Sequence, residues 1–232
     1  NIKQHNNTPL RIAVAANFTP VLKKLLIDFK KNTGIETQVI SGASGAMYLQ
    51  LTHGAPFDIF LSADSRRPEA LEQANLIINN SRKTYAIGQL ALYNSQSNQR
   101  NFTSSAAIEA VLKKIPKHFA IANPTIAPYG KAAQETLQYL GLWPAYRKVL
   151  IKGININQTF TQIRSKSVES GLVSQSQLVL NNLKGIIIPN HFHQEITQQL
   201  VILKNSNNIL KAQQLSEFLL LPSTQQTIIN YG

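Results

Sequence analysis

The sequence contains no cysteine among its 232 residues. Disulfide bonds, thiolate catalysis and cysteine-ligated zinc or iron–sulfur sites are therefore excluded. It also lacks any apolar run approaching the roughly 18 residues that a transmembrane helix needs. The polar residues 1–8 show none of the charged-then-apolar pattern of a secretory signal. If the protein is exported, we expect this chain to be its mature form.

Acidic residues are scarce. Eleven Asp and Glu face 23 Lys and Arg, which gives a formal net charge of +12. Such a balance suits a nucleic acid, an anionic membrane or a small anion. The cations occur as scattered pairs, for example Lys23 with Lys24 and Arg66 with Arg67, without a long run or interleaved aromatic residues. This pattern favours solvated helix faces over a nucleic-acid interface.

Short apolar runs alternate with helical periodicity, which predicts an α/β fold built on parallel strands. Residues 11–16 predict a buried first strand. Thr19 and Pro20 are typical of the start of a helix, and Gly34 of its end. Residues 85–93 predict one long strand, after which the strand–helix pattern starts again. We therefore expect a second lobe.

The predicted fold has two lobes, each a mostly parallel sheet flanked by helices. Residues 1–86 and 197–232 form the first lobe, and residues 87–196 form the second. We expect a ligand cleft between the lobes, at the carboxyl ends of the strands, because open α/β sheets bind ligands there.

Four strand-to-helix junctions carry small, hydroxyl or amide residues where backbone N–H groups are free: residues 17–19, 42–45, 128–130 and 155–157. Each helix N-terminus carries about half a positive charge, so several converging termini bind an anion without Lys or Arg. Each junction alone is equally typical of an ordinary helix cap. Together they predict a site for a small oxyanion.

Residues 42–46 come within one residue of the nucleophile-elbow motif of serine hydrolases, with Ser44 at its centre. A triad in the usual order would need an acid and then a histidine after Ser44. No Asp follows Asp64, which leaves only Glu residues before His191 or His193. A hydrolase using Ser44 remains an alternative, but without a triad in the usual order we predict no catalytic residue.

His191, His193 and Glu195 lie close enough in sequence to chelate a metal ion. Their spacing matches no common zinc motif, so a polar loop after Pro189 is the favoured interpretation. We predict no site for a free metal cation.

At these junctions the chain resembles the periplasmic molybdate-binding proteins of ABC transporters, which have the two-lobed type II binding-protein fold. The most specific segment is Gly-Ala-Pro-Phe-Asp-Ile-Phe-Leu-Ser-Ala-Asp at residues 54–64. Other matching segments, which extend over nearly the whole chain, are residues 15–18, 41–45, 122–124, 127–130, 140–143, 153–158, 171–176 and 231–232.

The resemblance implies a tetrahedral oxyanion held by hydroxyls and backbone N–H groups. The implied contacts fall on Asn17, where many members have serine, on Ser44, on Tyr129, and on Ile156 through its N–H. A fifth falls on Ser174, where some members have tyrosine.

The implied function is a periplasmic receptor that captures molybdate, with tungstate as a second ligand, and delivers it to an ABC permease and its ATPase. The resemblance implies no cofactor, no nucleic acid, no catalysis and a monomer. The alternatives are a receptor of the same fold for sulfate or phosphate, or a hydrolase using Ser44. A protonated ligand such as hydrogen phosphate would need a buried acceptor, and the four junctions contain no acidic one.

Overall fold

The computed structural model describes residues 7–96 and 105–232 of the chain; most of the polar segment 1–8 lies outside them. The strands are β1 (Leu10–Ala15), β2 (Thr37–Gly42), β3 (Ile59–Leu61), β4 (Lys83–Gly88), β5 (Leu90–Asn94), β6 (Phe119–Ala122), β7 (Leu150–Gly153), β8 (Ser170–Ser174), β9 (Ile186–Ile187) and β10 (Ile196–Ile202). The helices are α1 (Thr19–Thr33), α2 (Ser44–Thr52), α3 (Arg66–Gln73), α4 (Ser105–Leu112), α5 (Pro128–Tyr139), α6 (Trp143–Tyr146), α7 (Ile156–Arg164), α8 (Gln175–Leu180), α9 (Ile209–Leu220) and α10 (Pro222–Asn230).

The chain divides into two compact units. The first comprises the chain up to Ala86 together with Gln198–Asn230, and the second comprises Ile87–Thr197 with Tyr231–Gly232. Residue 197 and the last two residues therefore cluster with the second unit, whereas the sequence analysis put them in the first lobe. In the described residues, no helix is both long and apolar enough to cross a membrane.

The first unit is built on a sheet of order β2-β1-β3-β10-β4. Strand β1 runs parallel to β2 and β3, whereas β10 is antiparallel to β3. Helices α2 and α3 pack on this sheet through a buried apolar cluster that includes Met47, Phe60 and Leu71. Helices α1 and α9 contact each other through the rings of Phe29 and Phe218.

The second unit repeats this plan with a sheet of order β7-β6-β8-β5-β9. Strand β6 is parallel to β7 and β8, and β5 is antiparallel to β8 and β9. Residues Tyr93, Ile163, Val173 and Leu178 belong to its apolar core. In each sheet three parallel strands thus lie side by side, β2-β1-β3 and β7-β6-β8, and an antiparallel strand adjoins them on one side, which agrees with the predicted α/β class.

The long strand predicted over residues 85–93 is wrong. The structure has two strands there, β4 and β5, which belong to different sheets. Gln89 separates them, and its carbonyl oxygen accepts the N–H of Gln175 at 2.9 Å. Apolar periodicity continues across this break, so periodicity alone could not reveal it.

Candidate functional site

Asn17 and Ser44 follow two neighbouring parallel strands of the first unit. The last residues of β1 and β2, Ala15 and Gly42, are paired in the sheet. The N–H of Ala16 donates to the carbonyl of Gly42 at 2.9 Å. Because the carboxyl ends of parallel strands share one sheet edge, Asn17 and Ser44 belong to the same edge.

Ser44 is the first residue of α2 and is fully buried. Its Oγ accepts the N–H of Ala63 at 2.9 Å. A hydroxyl that accepts one hydrogen bond still has its own proton to donate. The first N–H groups of α2 have no acceptor within the helix. Ser44 therefore combines a hydroxyl donor with a helix N-terminus.

Asn17 is buried, and its Nδ2 donates to Oε1 of Gln198 in β10 at 2.8 Å. This bond holds the amide plane of Asn17. The neighbouring Phe18 ring packs on Tyr85 with centroids 4.9 Å apart. The Tyr85 hydroxyl in turn donates to the carbonyl of Ser62 at 2.8 Å. The turn after β1 is thus held from β10, β4 and the loop after β3.

An ion pair supports the loop that contacts Ser44. Asp64 accepts the hydroxyl of Ser62 at 2.8 Å and the guanidinium of Arg67 at 2.5 Å. Arg67 is only 9% exposed. The expectation of a solvated helix face is therefore wrong for Arg67, because its charge neutralises a carboxylate in this loop; Arg66 is exposed.

Asp58 has a structural role at the opposite end of the strands. Its carboxylate accepts the N–H of Arg11 at 2.7 Å, the hydroxyl of Ser206 at 2.7 Å and the amide of Asn208 at 3.2 Å. These bonds connect the start of β1 to the turn before α9. The carboxylate of Asp58 is therefore engaged in the fold.

In the second unit, Tyr129, Ile156 and Ser174 are associated with the carboxyl ends of β6, β7 and β8. All three are buried. These strands are neighbours in the order β7-β6-β8, with β6 parallel to both. The structure thus places the three residues along one edge of the second sheet, as it places Asn17 and Ser44 along one edge of the first.

Gly130 allows α5 to begin directly against the end of β6. A Cβ atom at this position would lie 2.1 Å from the carbonyl oxygen of Ala122 and 2.9 Å from the carbonyl carbon of Asn123. Only a residue without a side chain permits this approach. Tyr129, the preceding residue, is positioned by the same close packing.

The start of α7 is held by side-chain caps. Asn155 accepts the N–H of Gln158 through Oδ1 at 2.9 Å, and Gln158 accepts the N–H of Ile154 through Oε1 at 2.7 Å. The N–H of Thr159 reaches the carbonyl of Asn155. The N–H groups of Ile156 and Asn157, in the first turn, have no acceptor within the helix.

Ser174 caps α8. Its Oγ accepts the N–H of Ser176 at 3.2 Å and lies 2.7 Å from the Oγ of Ser176. Its own N–H donates to Oε1 of Gln177 at 3.1 Å. Gln177 was not predicted as part of the site, although Ser174-Gln175-Ser176-Gln177 matches the capping-box pattern that indicates both the start of α8 and the role of this glutamine.

His191 and His193 each contact neighbouring protein groups. The ring of His191 packs edge-on against Tyr139 and Phe192, and Nδ1 of His193 lies 2.7 Å from the carbonyl of Gln194. Across residues 7–96 and 105–232, no group of three or more His, Cys, Asp or Glu side chains could hold a metal ion.

A family model for bacterial extracellular solute-binding proteins matches residues 10–232. The chain belongs to this family. Two relatives of this solute-binding protein are molybdate-binding proteins. The one from Azotobacter vinelandii is 36% identical over 96% of this chain and 88% of its own length, and the one from Rhodobacter capsulatus is 34% identical over 95% and 86%.

The solved structure of the Azotobacter vinelandii periplasmic molybdate-binding protein superposes on this solute-binding protein with a TM-score of 0.88. The two are 30% identical over 96% of this chain and 97% of the other. The two-lobed α/β class expected from the sequence is thus confirmed. These relatives are binding proteins and not enzymes, which removes the basis for a hydrolase at Ser44.

Proposed function

We propose that this solute-binding protein captures molybdate, with tungstate as a second ligand, and delivers it to the permease and ATPase of an ABC transporter. The similarity to the Azotobacter vinelandii molybdate-binding protein, in sequence and in backbone structure, carries this proposal. The metal enters as cargo within the oxyanion, and no cofactor takes part.

The candidate contacts suit a fully deprotonated oxyanion. Asn17 and Ser44 offer an amide and a hydroxyl from the first unit. Tyr129, Ile156 and Ser174 offer a phenol, a backbone N–H and a hydroxyl from the second. These groups include no carboxylate, and we propose them as the contacts to the oxyanion. Hydrogen phosphate would present its proton to a site with no anionic acceptor.

Fixed donors discriminate by the distance from the central atom to its oxygens. Molybdate and tungstate are close in size and charge, whereas sulfate is smaller and would leave some donors unpaired. Each unmet buried donor costs about 1–3 kcal/mol, so two or three of them give a preference of at least about thirtyfold.

We propose that the protein acts as a monomer in the periplasm. The support for this location is its membership in an extracellular solute-binding family and its similarity to a protein described as periplasmic.

A thermal-shift panel with molybdate, tungstate, sulfate and phosphate tests the ligand. A ligand at about a thousand times its Kd stabilises the native state by about 4 kcal/mol, which raises Tm by roughly 8–16 °C for a chain of this size. We expect this shift with molybdate and tungstate and a much smaller one with sulfate. A Tm that rises only with sulfate or phosphate would show that the protein is a receptor for another oxyanion.

A further inference from the structure

The buried side chain of Gln177 connects the starts of α7 and α8. Its Nε2 donates to the carbonyl of Ile156 at 3.1 Å and to Oδ1 of Asn157 at 3.0 Å. Its Oε1 accepts the N–H of Ser174 at 3.1 Å. One amide thus contacts two of the three segments of the second unit that carry candidate ligand contacts.

These partners determine which way the amide of Gln177 points. Nε2 has two protons and faces two acceptors, whereas Oε1 faces a donor. The flipped amide would place Nε2 against the N–H of Ser174 and Oε1 against two oxygens. Every contact would then become repulsive, so the hydrogen-bond network specifies a single orientation.

Holding the carbonyl of Ile156 also orients the N–H of Asn157. The two groups belong to the same peptide unit, which is planar and trans, so they point in opposite directions. The carbonyl of Ile156 points towards Gln177. The N–H of Asn157 therefore points away from Gln177, out of the first turn of α7, where no helical acceptor exists.

We infer that Gln177 is a positioning residue for the oxyanion site and that it presents the backbone N–H of Asn157 as a donor next to that of Ile156. This inference rests on the proposed function. Gln177 itself stays on the protein side of α7 and binds no ligand atom. It orders the first turn of α7 before the ligand arrives, so the free energy of ordering this turn is not subtracted from the free energy of binding.

Replacing Gln177 with methionine tests this role, since Gln177→Met keeps an unbranched side chain of similar length and removes all three hydrogen bonds. We expect the Kd for molybdate, measured by calorimetric titration, to rise at least about tenfold. We also expect the preference for molybdate over sulfate to shrink, because a mobile first turn can adapt to the smaller anion.

Tyr146→Phe is the matched control in the same unit. The buried Tyr146 hydroxyl donates to the carbonyl of Leu112 at 2.6 Å, and its ring packs on Phe119, at the start of β6 and away from the candidate edge. Burial raises the pKa of this phenol, so the hydroxyl remains a donor at alkaline as well as neutral pH. We expect Tyr146→Phe to lower the Tm of the ligand-free protein without changing the Kd or the ion preference.

Asn157→Ala keeps the inference testable if Gln177→Met folds poorly, and it completes a double-mutant cycle if Gln177→Met folds. Asn157→Ala removes one partner of Gln177 and keeps the backbone N–H. We expect a smaller loss of affinity for Asn157→Ala, and a non-additive loss in the double variant. A Kd within about twofold of the wild type in every single variant that folds would overturn the inference and leave the proposed function intact.

Titration of the wild-type protein with the four oxyanions distinguishes a failure of the proposed function from a failure of the inference about Gln177. If the wild type binds sulfate and not molybdate, the proposed ligand is wrong. The effect of Gln177→Met on the sulfate affinity then tests the positioning role of Gln177. If it binds none of the four oxyanions in the panel, both the function and the inference are overturned.

Discussion

Ser44 illustrates how one buried hydroxyl serves both the fold and the proposed ligand. Its oxygen accepts the N–H of Ala63, which leaves its proton for a ligand. Asn17 is similar, because its amide donates one proton to Gln198 and has a second proton that it can donate to a ligand. At the scale of single residues, the candidate site is thus made of groups whose second function is structural.

Replacing Ser44 with alanine should weaken molybdate binding by about tenfold to a hundredfold. The variant loses one donor to a charged ligand, which is worth roughly 1.5–3 kcal/mol. It also leaves the N–H of Ala63 without its acceptor. Calorimetric titration measures the affinity, and thermal unfolding of the ligand-free variant measures the structural part.

The matched control is Ser81→Ala. The buried Ser81 also accepts a backbone N–H through its Oγ, that of Ile202 at 3.2 Å, within the same unit. We expect a comparable loss of Tm and an unchanged Kd. Equal affinity losses in the two variants would assign the effect of Ser44 to folding and remove Ser44 from the ligand contacts.

At the scale of elements, the relevant unit is the junction of a parallel strand with the helix that follows it. The described residues contain six such positions, at the carboxyl ends of β1, β2, β3, β6, β7 and β8. Each is stabilised differently: Gly130 allows close packing, Asn155 caps α7, and Ser174 caps α8. Every helix start therefore has free N–H groups, but different contacts hold each start in place.

Replacing Gly130 with alanine should destabilise the protein and displace Tyr129. The new Cβ would lie 2.1 Å from the carbonyl of Ala122, so α5 would have to move away from β6. Overpacking of this kind costs about 1–3 kcal/mol. We expect a lower free energy of unfolding in denaturant and a weaker affinity for molybdate.

Gly141→Ala is the control just beyond the other end of α5. Gly141 has a φ of +71°, and nothing lies within 4 Å of an added Cβ. Its replacement should cost about 1 kcal/mol of backbone strain and leave the affinity unchanged. An unaltered affinity in Gly130→Ala as well would mean that the start of α5 is not a ligand contact.

At the scale of the whole molecule, the net charge of +12 should attract a dianion over several ångströms. We expect the association rate constant for molybdate to fall about tenfold between roughly 0.01 M and 0.5 M salt, because ions screen this attraction. The dissociation rate should change by less than about twofold. Stopped-flow measurements of both rates across this range check the prediction, and an association rate insensitive to salt would contradict it.

The sequence by itself determined the α/β class and the places where strands give way to helices. Such information is local: Pro20 and Gly34 bracket α1, and Asn155 and Ser174 cap the starts of α7 and α8. The free N–H groups at Ser44 and Ile156, and hence the expectation of an anion site, follow from these starts alone.

Only the tertiary structure decided how those groups are held. Asn17 meets Gln198 across 181 positions, and Gln177 meets the carbonyl of Ile156 across 21. Arg67, which the sequence predicts to be a solvated cation, forms an ion pair with Asp64 in the structure. Such contacts depend on which strands become neighbours, and in this chain that order brings β10 beside β3 and β8 beside β6. Local periodicity carries no record of that order, because it arises only when distant segments bury their apolar faces together.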